Sequence, residues 1–292
     1  NQGATATLTA TATTGYTFSH WSGDSNETNG TISLAATQHR SVTAHFTLNS
    51  YTLTASGGAG GIVSGSGAFT YGTVTPITAT PGAGHSFTGW TGDGIADLNA
   101  SNTTVLITQD RNVSAIFAID QYTLTASGGV GGSVSGTGTF DWNSSTAITA
   151  TPNTGYSFTG WIGTGITSPS AQDTTVLMTQ DRNVSATFLI NSYTLTTSPG
   201  SGGNVSSSGS HEHGTQVTIT ATPQTGYTFA GWVGSGITDA NASTTTINMT
   251  QDRNASAIFA INQYALGVHS GTGGSTSGAG TYDWNSSISI TA

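Results

Sequence analysis

His211 and His213 stand two residues apart with Glu212 between them, a spacing that turns both imidazoles to one face of a strand. A zinc ion would need more ligands than these two, and the chain has no Cys to supply a thiolate. The sequence lays out no such set, so no metal is expected. Carboxylates are the next candidates, because acid–base chemistry needs one in each copy of a site. Asp24 and Asp93 follow Trp21 and Trp90 by three residues, but Thr164 and Ser235 hold that place after Trp161 and Trp232. These Asp residues therefore read as turn caps. Asp110-Arg111, Asp181-Arg182 and Asp252-Arg253 read as turns whose Arg pairs or stacks locally, and His39 replaces the Asp before Arg40. No Gly-x-Ser-x-Gly elbow stands on a strand-to-helix turn with a companion acid and His. Gly136-Thr137-Gly138 lacks the following helix a phosphate loop requires. The reading is no enzyme, no catalytic residue and no cofactor.

What remains is aromatic. Alignment on the Ile-Thr-Ala-Thr element makes Tyr71, Trp142, His213 and Trp284 equivalent, with Phe69, Phe140, His211 and Tyr282 two residues earlier. All lie in a hairpin, and Asp141 or Asp283 adjoins the two Trp residues. An exposed Trp there would stack on a sugar ring; a covered one would pack against the neighbouring unit. Packing is the preferred role, with a carbohydrate ligand as the alternative.

These positions are set by a repeat. Tyr-Thr-Leu-Thr starts at Tyr51, Tyr122 and Tyr193, a constant 71-residue step, and a variant starts one step later at Tyr264. Arg40, Arg111, Arg182 and Arg253 keep the same step and are the chain's whole Lys+Arg content. Trp21 to Trp90 is two residues short of it, which places a deletion between Trp21 and Arg40, in a Gly/Asn/Ser-rich loop. The expected domains are the end of a first repeat (1–49), repeats at 50–120, 121–191 and 192–262, and the start of a further one (263–292).

Inside a repeat the apolar residues alternate, as in Tyr122, Leu124, Ala126 and in Val184, Ala186, Phe188. Period two with Thr, Val, Ile and aromatics predicts half-buried strands. About five per unit are expected, joined by hairpins, with room for a short helix between Gly163 and Asp173. The predicted core is Tyr122, Leu124, Val134, Ile148, Ala150, Tyr156, Phe158, Trp161, Val176, Met178, Val184, Ala186 and Phe188. The fold class is all-β, a tandem array of units on short joints, which predicts an elongated rod.

Composition narrows the partners. Among 292 residues, 4 are Lys or Arg and 13 Asp or Glu, a net charge of −9 with 6% charged residues, against roughly 25% in an average protein. Nucleic-acid binding by a basic surface is excluded, because there is almost no positive charge to meet phosphates. The lack of Cys excludes disulfides. No run of 18 apolar residues is present, and membrane insertion is not expected. The sequence opens at Asn1 without a leader and reads as a mature or trimmed segment. Without Lys to guard sheet edges, edges are expected to be paired in an assembly or screened by glycans, and sequons such as Asn112-Val113-Ser114 and Asn183-Val184-Ser185 recur.

Over 122–188 the elements run in order as Tyr-Thr-Leu-Thr, Gly-Gly-x-Val-Ser-Gly-x-Gly, Ile-Thr-Ala-Thr-Pro, Gly-Tyr-x-Phe-x-Gly-Trp and Val-Ser-Ala-x-Phe. This series resembles the divergent internalin-type (InlB-like) B-repeat family of bacterial cell-surface and secreted proteins, over essentially the whole chain. His85 for Tyr and His20 for the Gly before Trp are departures. The resemblance implies an extracellular all-β or β-grasp-like module acting as spacer, stalk or adhesive repeat, with no catalytic residues. The expected function is a structural stalk or fibre, self-associating end to end or through neighbouring repeats. The sequence begins and ends inside a repeat with complementary halves, so head-to-tail completion between copies is one expectation and a piece of a longer array the other.

Overall fold

The computed structural model describes residues 3–206 and 208–292, which form 27 strands and no helix. The N-terminal partial repeat holds β1 (Thr5–Thr9), β2 (Tyr16–Gly23), β3 (Thr31–Ala35) and β4 (Val42–Leu48). The first full repeat holds β5 (Ser50–Gly57), β6 (Gly61–Ser64), β7 (Gly67–Thr70), β8 (Val74–Pro81), β9 (His85–Thr91), β10 (Asn102–Leu106) and β11 (Arg111–Ile119). The second holds β12 (Gln121–Gly128), β13 (Gly132–Ser135), β14 (Gly138–Asp141), β15 (Ser144–Pro152), β16 (Tyr156–Ile162), β17 (Asp173–Met178) and β18 (Arg182–Ile190). The third holds β19 (Ser192–Pro199), β20 (Gly203–Val205), β21 (Gly209–Glu212), β22 (Gln216–Pro223), β23 (Tyr227–Gly234), β24 (Thr244–Asn248) and β25 (Arg253–Ile261). A last hairpin is made by β26 (Gln263–Leu266) and β27 (Gly280–Asp283).

Each full repeat has seven strands, not about five. The two extra ones are pieces of three or four residues around the Gly-x-Gly run, too short to show an alternating pattern. The stretch between Gly163 and Asp173 takes no helix; it is a looped excursion pinned by the bridge Ile166↔Val176.

The strands form two sheets per repeat, ordered β7-β5-β11-β9 and β6-β8-β10 in the first and likewise in the others. The first and last strands of the repeat run parallel at the centre of the four-stranded sheet, with Arg111 opposite Leu53 and Ala115 opposite Gly57. The other pairings of this repeat are antiparallel. This is a β-grasp strand order, with a second sheet where a β-grasp carries its helix. The cores lie between the sheets. Leu53, Trp90, Val113 and Ala115 from one face meet Ile77, Ala79 and Val105 from the other. The third repeat packs Leu195, Trp232, Ala255 and Phe259 with Val217, Ile219, Ala221 and Ile247.

Of the predicted core of the second repeat, Leu124, Ile148, Ala150, Trp161, Val176, Met178, Val184 and Ala186 are buried. Tyr122, Val134, Tyr156, Phe158 and Phe188 are half-buried. Two of these rings explain the Gly-Gly pair. Tyr156 lies against Gly131 and Phe188 against Gly132, where a Cβ would overlap each ring, and Gly131 has φ +105°.

The Trp after the bulge in the edge strand fastens the long loop. Trp161 Nε1 donates to the Ala171 carbonyl (3.0 Å), and its backbone N–H donates to Pro169 O (2.8 Å). Trp90 and Trp232 do the same with Ala100 and Ala242. Trp21 reaches Asn29 instead, eight residues on rather than ten, so the two-residue deletion falls in this loop and the tether survives it. Bulge and loop cover the edge that charge leaves unguarded.

The Asp of each Asp-Arg pair accepts from the first strand of its repeat: Thr52, Thr123 and Thr194 N–H donate to Asp110, Asp181 and Asp252 Oδ1, each at 2.7 Å. The Arg turns the other way, to hydroxyls of the loop and turn, as in Arg111 to Thr108 and Arg253 to Ser235 and Thr250 (2.9 Å each). Replacing Asp181 by Ala is expected to cost about 1–2 kcal/mol, a charged acceptor lost from a half-open site. A shift of the urea midpoint without a change in slope checks this.

The chain falls into two compact units. One runs to Thr123 and takes in Thr139–Ser145 and Leu177–Asp181; the other holds Leu124–Gly138, Thr146–Val176 and Arg182–Ala292. The division passes through the second repeat rather than between repeats.

Candidate functional site

The feature that recurs four times is the joint between repeats. A single residue, Asp120, separates β11 from β12, and Asn49, Asn191 and Asn262 hold the corresponding place. Its backbone is used on both sides. Asp120 N–H donates to Gly84 O of the preceding repeat (2.8 Å), and its carbonyl accepts from Trp142 N–H of the following one (2.7 Å). Asn49 links Gly15 to Tyr71, Asn191 links Gly155 to His213, and Asn262 links Gly226 to Trp284, all at 2.8 Å. The side chain adds a third tie. Thr17 and Ser157 hydroxyls donate to Asn49 and Asn191 Oδ1 (2.6 Å), and the Ser86 hydroxyl donates to Asp120 Oδ1. Only an acceptor oxygen is needed, which is why Asn and Asp interchange there.

The four aromatic candidates all lie at this joint. Tyr71 packs on Gly15, Trp142 on Gly84, His213 on Gly155 and Trp284 on Gly226, so closely that a Cβ on any of these glycines would overlap the ring. The same glycines have φ of +86°, +67°, +83° and +88°, a left-handed turn conformation that disfavours a side chain independently. One face of each ring is thus taken by a neighbouring repeat. Tyr71, Trp142 and His213 are half-buried, and Trp284 is 39% exposed. His85 meets Trp142 edge-on at 6.4 Å, and Tyr193 meets His213 at 6.0 Å.

Two residues earlier, Phe69, His211 and Tyr282 stand opposite Tyr51, Tyr193 and Tyr264 in the adjoining strand. His211 lies in β21 and His213 in the turn just beyond it, and among the described residues no group of three or more His, Asp or Glu is placed to hold a metal ion. Asp24 accepts from Ser41 N–H (2.6 Å) across the end of the β2–β4 pair, so it caps that ladder rather than a turn. An open hollow of about 830 Å³ lies beside the fourth joint, lined by Thr228, Ala260, Ile261, Asn262, Gln263 and Tyr264. It contains no carboxylate or imidazole to act as acid or base.

The linking residues were not among the sequence candidates. They work first through the main chain, which any residue could supply, and only the tie to Asn49, Asp120 and Asn191 Oδ1 asks for Asn or Asp. Yet Asn49, Asp120, Asn191 and Asn262 recur at the repeat interval, and the lattice alone could have marked them.

No curated protein matches the chain. Among solved structures, the Bacillus anthracis TIE protein is similar over 89% of this chain and 52% of its own, at 10% identity and a TM-score of 0.30. The chain spans about half the length of that protein. No helix of the described residues is long and apolar enough to cross a membrane. The model of the divergent InlB B-repeat domain matches residues 1–50, 51–121, 122–192 and 193–263, one match for each stretch that ends at a joint. Repeat length, motif order and these four consecutive matches together make the chain a member of the divergent InlB B-repeat family.

Proposed function

We propose that the chain is a non-enzymatic structural part of a bacterial surface protein, a stalk in which tandem repeats hold something away from the cell. The observation that carries this is the joint. The same one-residue link, with the same two backbone bonds and ring-on-glycine contact, recurs at all four boundaries. A joint made with the same bonds at every boundary is what a spacer of tandem repeats needs. The family's association with bacterial surface proteins points the same way. Antibody labelling and protease shaving of intact cells test the location: the repeats are expected to be labelled and cut without lysis, and labelling only after lysis would overturn the reading.

End-to-end association of copies is the finer form of this proposal. Filaments in negative-stain electron microscopy, with sizing chromatography alongside, would support it, and monomers at all concentrations would remove it. The exposure of Trp284 favours one second reading, adhesion to carbohydrate. On a glycan array the stalk reading expects no retention. Retention that is lost on replacing Trp142 and Trp284 by Ala would replace it with the adhesin.

A further inference from the structure

We propose that each complete repeat is a force-resisting module whose clamp is the parallel pair of its first and last strands. The source of the load rests on the stalk reading; the clamp itself rests on topology. The chain enters the second repeat at the start of β12 and leaves it at the end of β18, with one residue, Asp120 or Asn191, between it and its neighbours. Because β12 and β18 run side by side in the same direction, entrance and exit lie at opposite ends of the pair. Tension along the chain then slides one strand along the other. In that geometry every ladder hydrogen bond is loaded at once, whereas a hairpin pulled at its open end gives up its bonds one by one.

The pair is built the same way in all three full repeats. Leu53, Leu124 and Leu195 stand opposite Arg111, Arg182 and Arg253, and each register runs for five residues. Both strands are interior to their sheet, with β14 outside β12 and β16 outside β18. Leu124, Val184 and Ala186 bury one face. Side chains add ties across the same seam: Asp181 to Thr123 N–H at one end, and Ser127 Oγ to Val184 O farther along. In the third repeat Ser198 and Ser256 hydroxyls meet at 2.6 Å. The loops and short strands between the two strands lie outside the load path until this seam parts.

The purified chain pulled by its two ends in a force spectrometer provides the test. Three unfolding events of similar force are expected, each releasing up to about 24 nm at roughly 3.4 Å per residue. The chain has no Cys, so handles can be placed at will. Thr154→Cys and Leu189→Cys, both exposed and near the same end of the antiparallel pair β16–β18, open that pair from its end. End-to-end pulling is expected to need at least double the force of pulling through those two sites. Both directions use a folded protein, so a misfolded variant cannot mimic the result. Equal forces in the two directions, or end-pulled repeats that yield without separate peaks, would overturn the proposal. Since the measurement is made on the purified chain, a failed surface-labelling experiment would not alter it.

Discussion

Replacing Trp161 by Ala is expected to cost the second repeat about 3–5 kcal/mol and to melt it before its neighbours. The ring is buried, packs against Phe158 at 5.9 Å and holds the long loop through the Ala171 carbonyl. Removing it opens a cavity and frees a loop in the same step. A unit of this size has little stability to spare, so a loss of that order removes most of it. Since repeats couple chiefly to adjacent ones, the single transition should split into an early and a late phase in urea, followed by circular dichroism. Trp161→Phe separates the two contributions. It keeps most of the packing but leaves the Ala171 carbonyl without its donor, an expected loss of about 1–3 kcal/mol. A Trp161→Ala protein with one unshifted transition would show that the ring is not part of the core.

The second large effect is expected at the joint. Gly84→Ala forces a side chain into a left-handed backbone conformation, about 1–2 kcal/mol, and drives its methyl group into the Trp142 ring, about 1–3 kcal/mol more. Gly72 provides the control, for it has φ +84° and nothing within 4 Å of an added Cβ. Gly72→Ala should show the backbone cost alone. The difference between the two variants therefore isolates the ring contact. In a double-mutant cycle, Gly84→Ala with Trp142→Ala should cost less than the sum of the single changes, because the overlap disappears with the ring. Additivity in that cycle would mean that the ring moves aside freely, and the joint would then be a hinge rather than a fixed link.

Much of this architecture was legible from the residues. Threonine and aromatic alternation marked the strands, and the Trp161 position was placed in the core by its Gly-Tyr-x-Phe-x-Gly-Trp setting. The parallel pairing was not legible. Period two shows which face of a strand is buried but not which strand lies beside it. Leu124 and Arg182 come from opposite ends of the repeat, with no local signature joining them. The short strands around Gly136 were missed because three or four residues cannot display a period. At the joint, the aromatic positions Tyr71, Trp142, His213 and Trp284 emerged from alignment, while their glycine partners did not. Gly84 looks like any turn glycine until the ring that covers it is seen. Asp120 carries no motif around it, for it works through its peptide group and one carboxylate oxygen that Asn replaces equally well.

The one-residue joint also limits how such an array can grow. Asp120 is bonded through its N–H to one repeat and through its carbonyl to the next, so a residue added beside it would pull a bond from one side. The loop after Trp21 is two residues shorter than its counterparts and keeps its tether, which shows where length can change freely. A duplicated segment one whole repeat long, wherever it is cut, restores every joint and every ring-on-glycine contact. Inheritance of this chain should therefore proceed by whole repeats gained or lost, with small changes in length gathered in the loops and almost none at the boundaries.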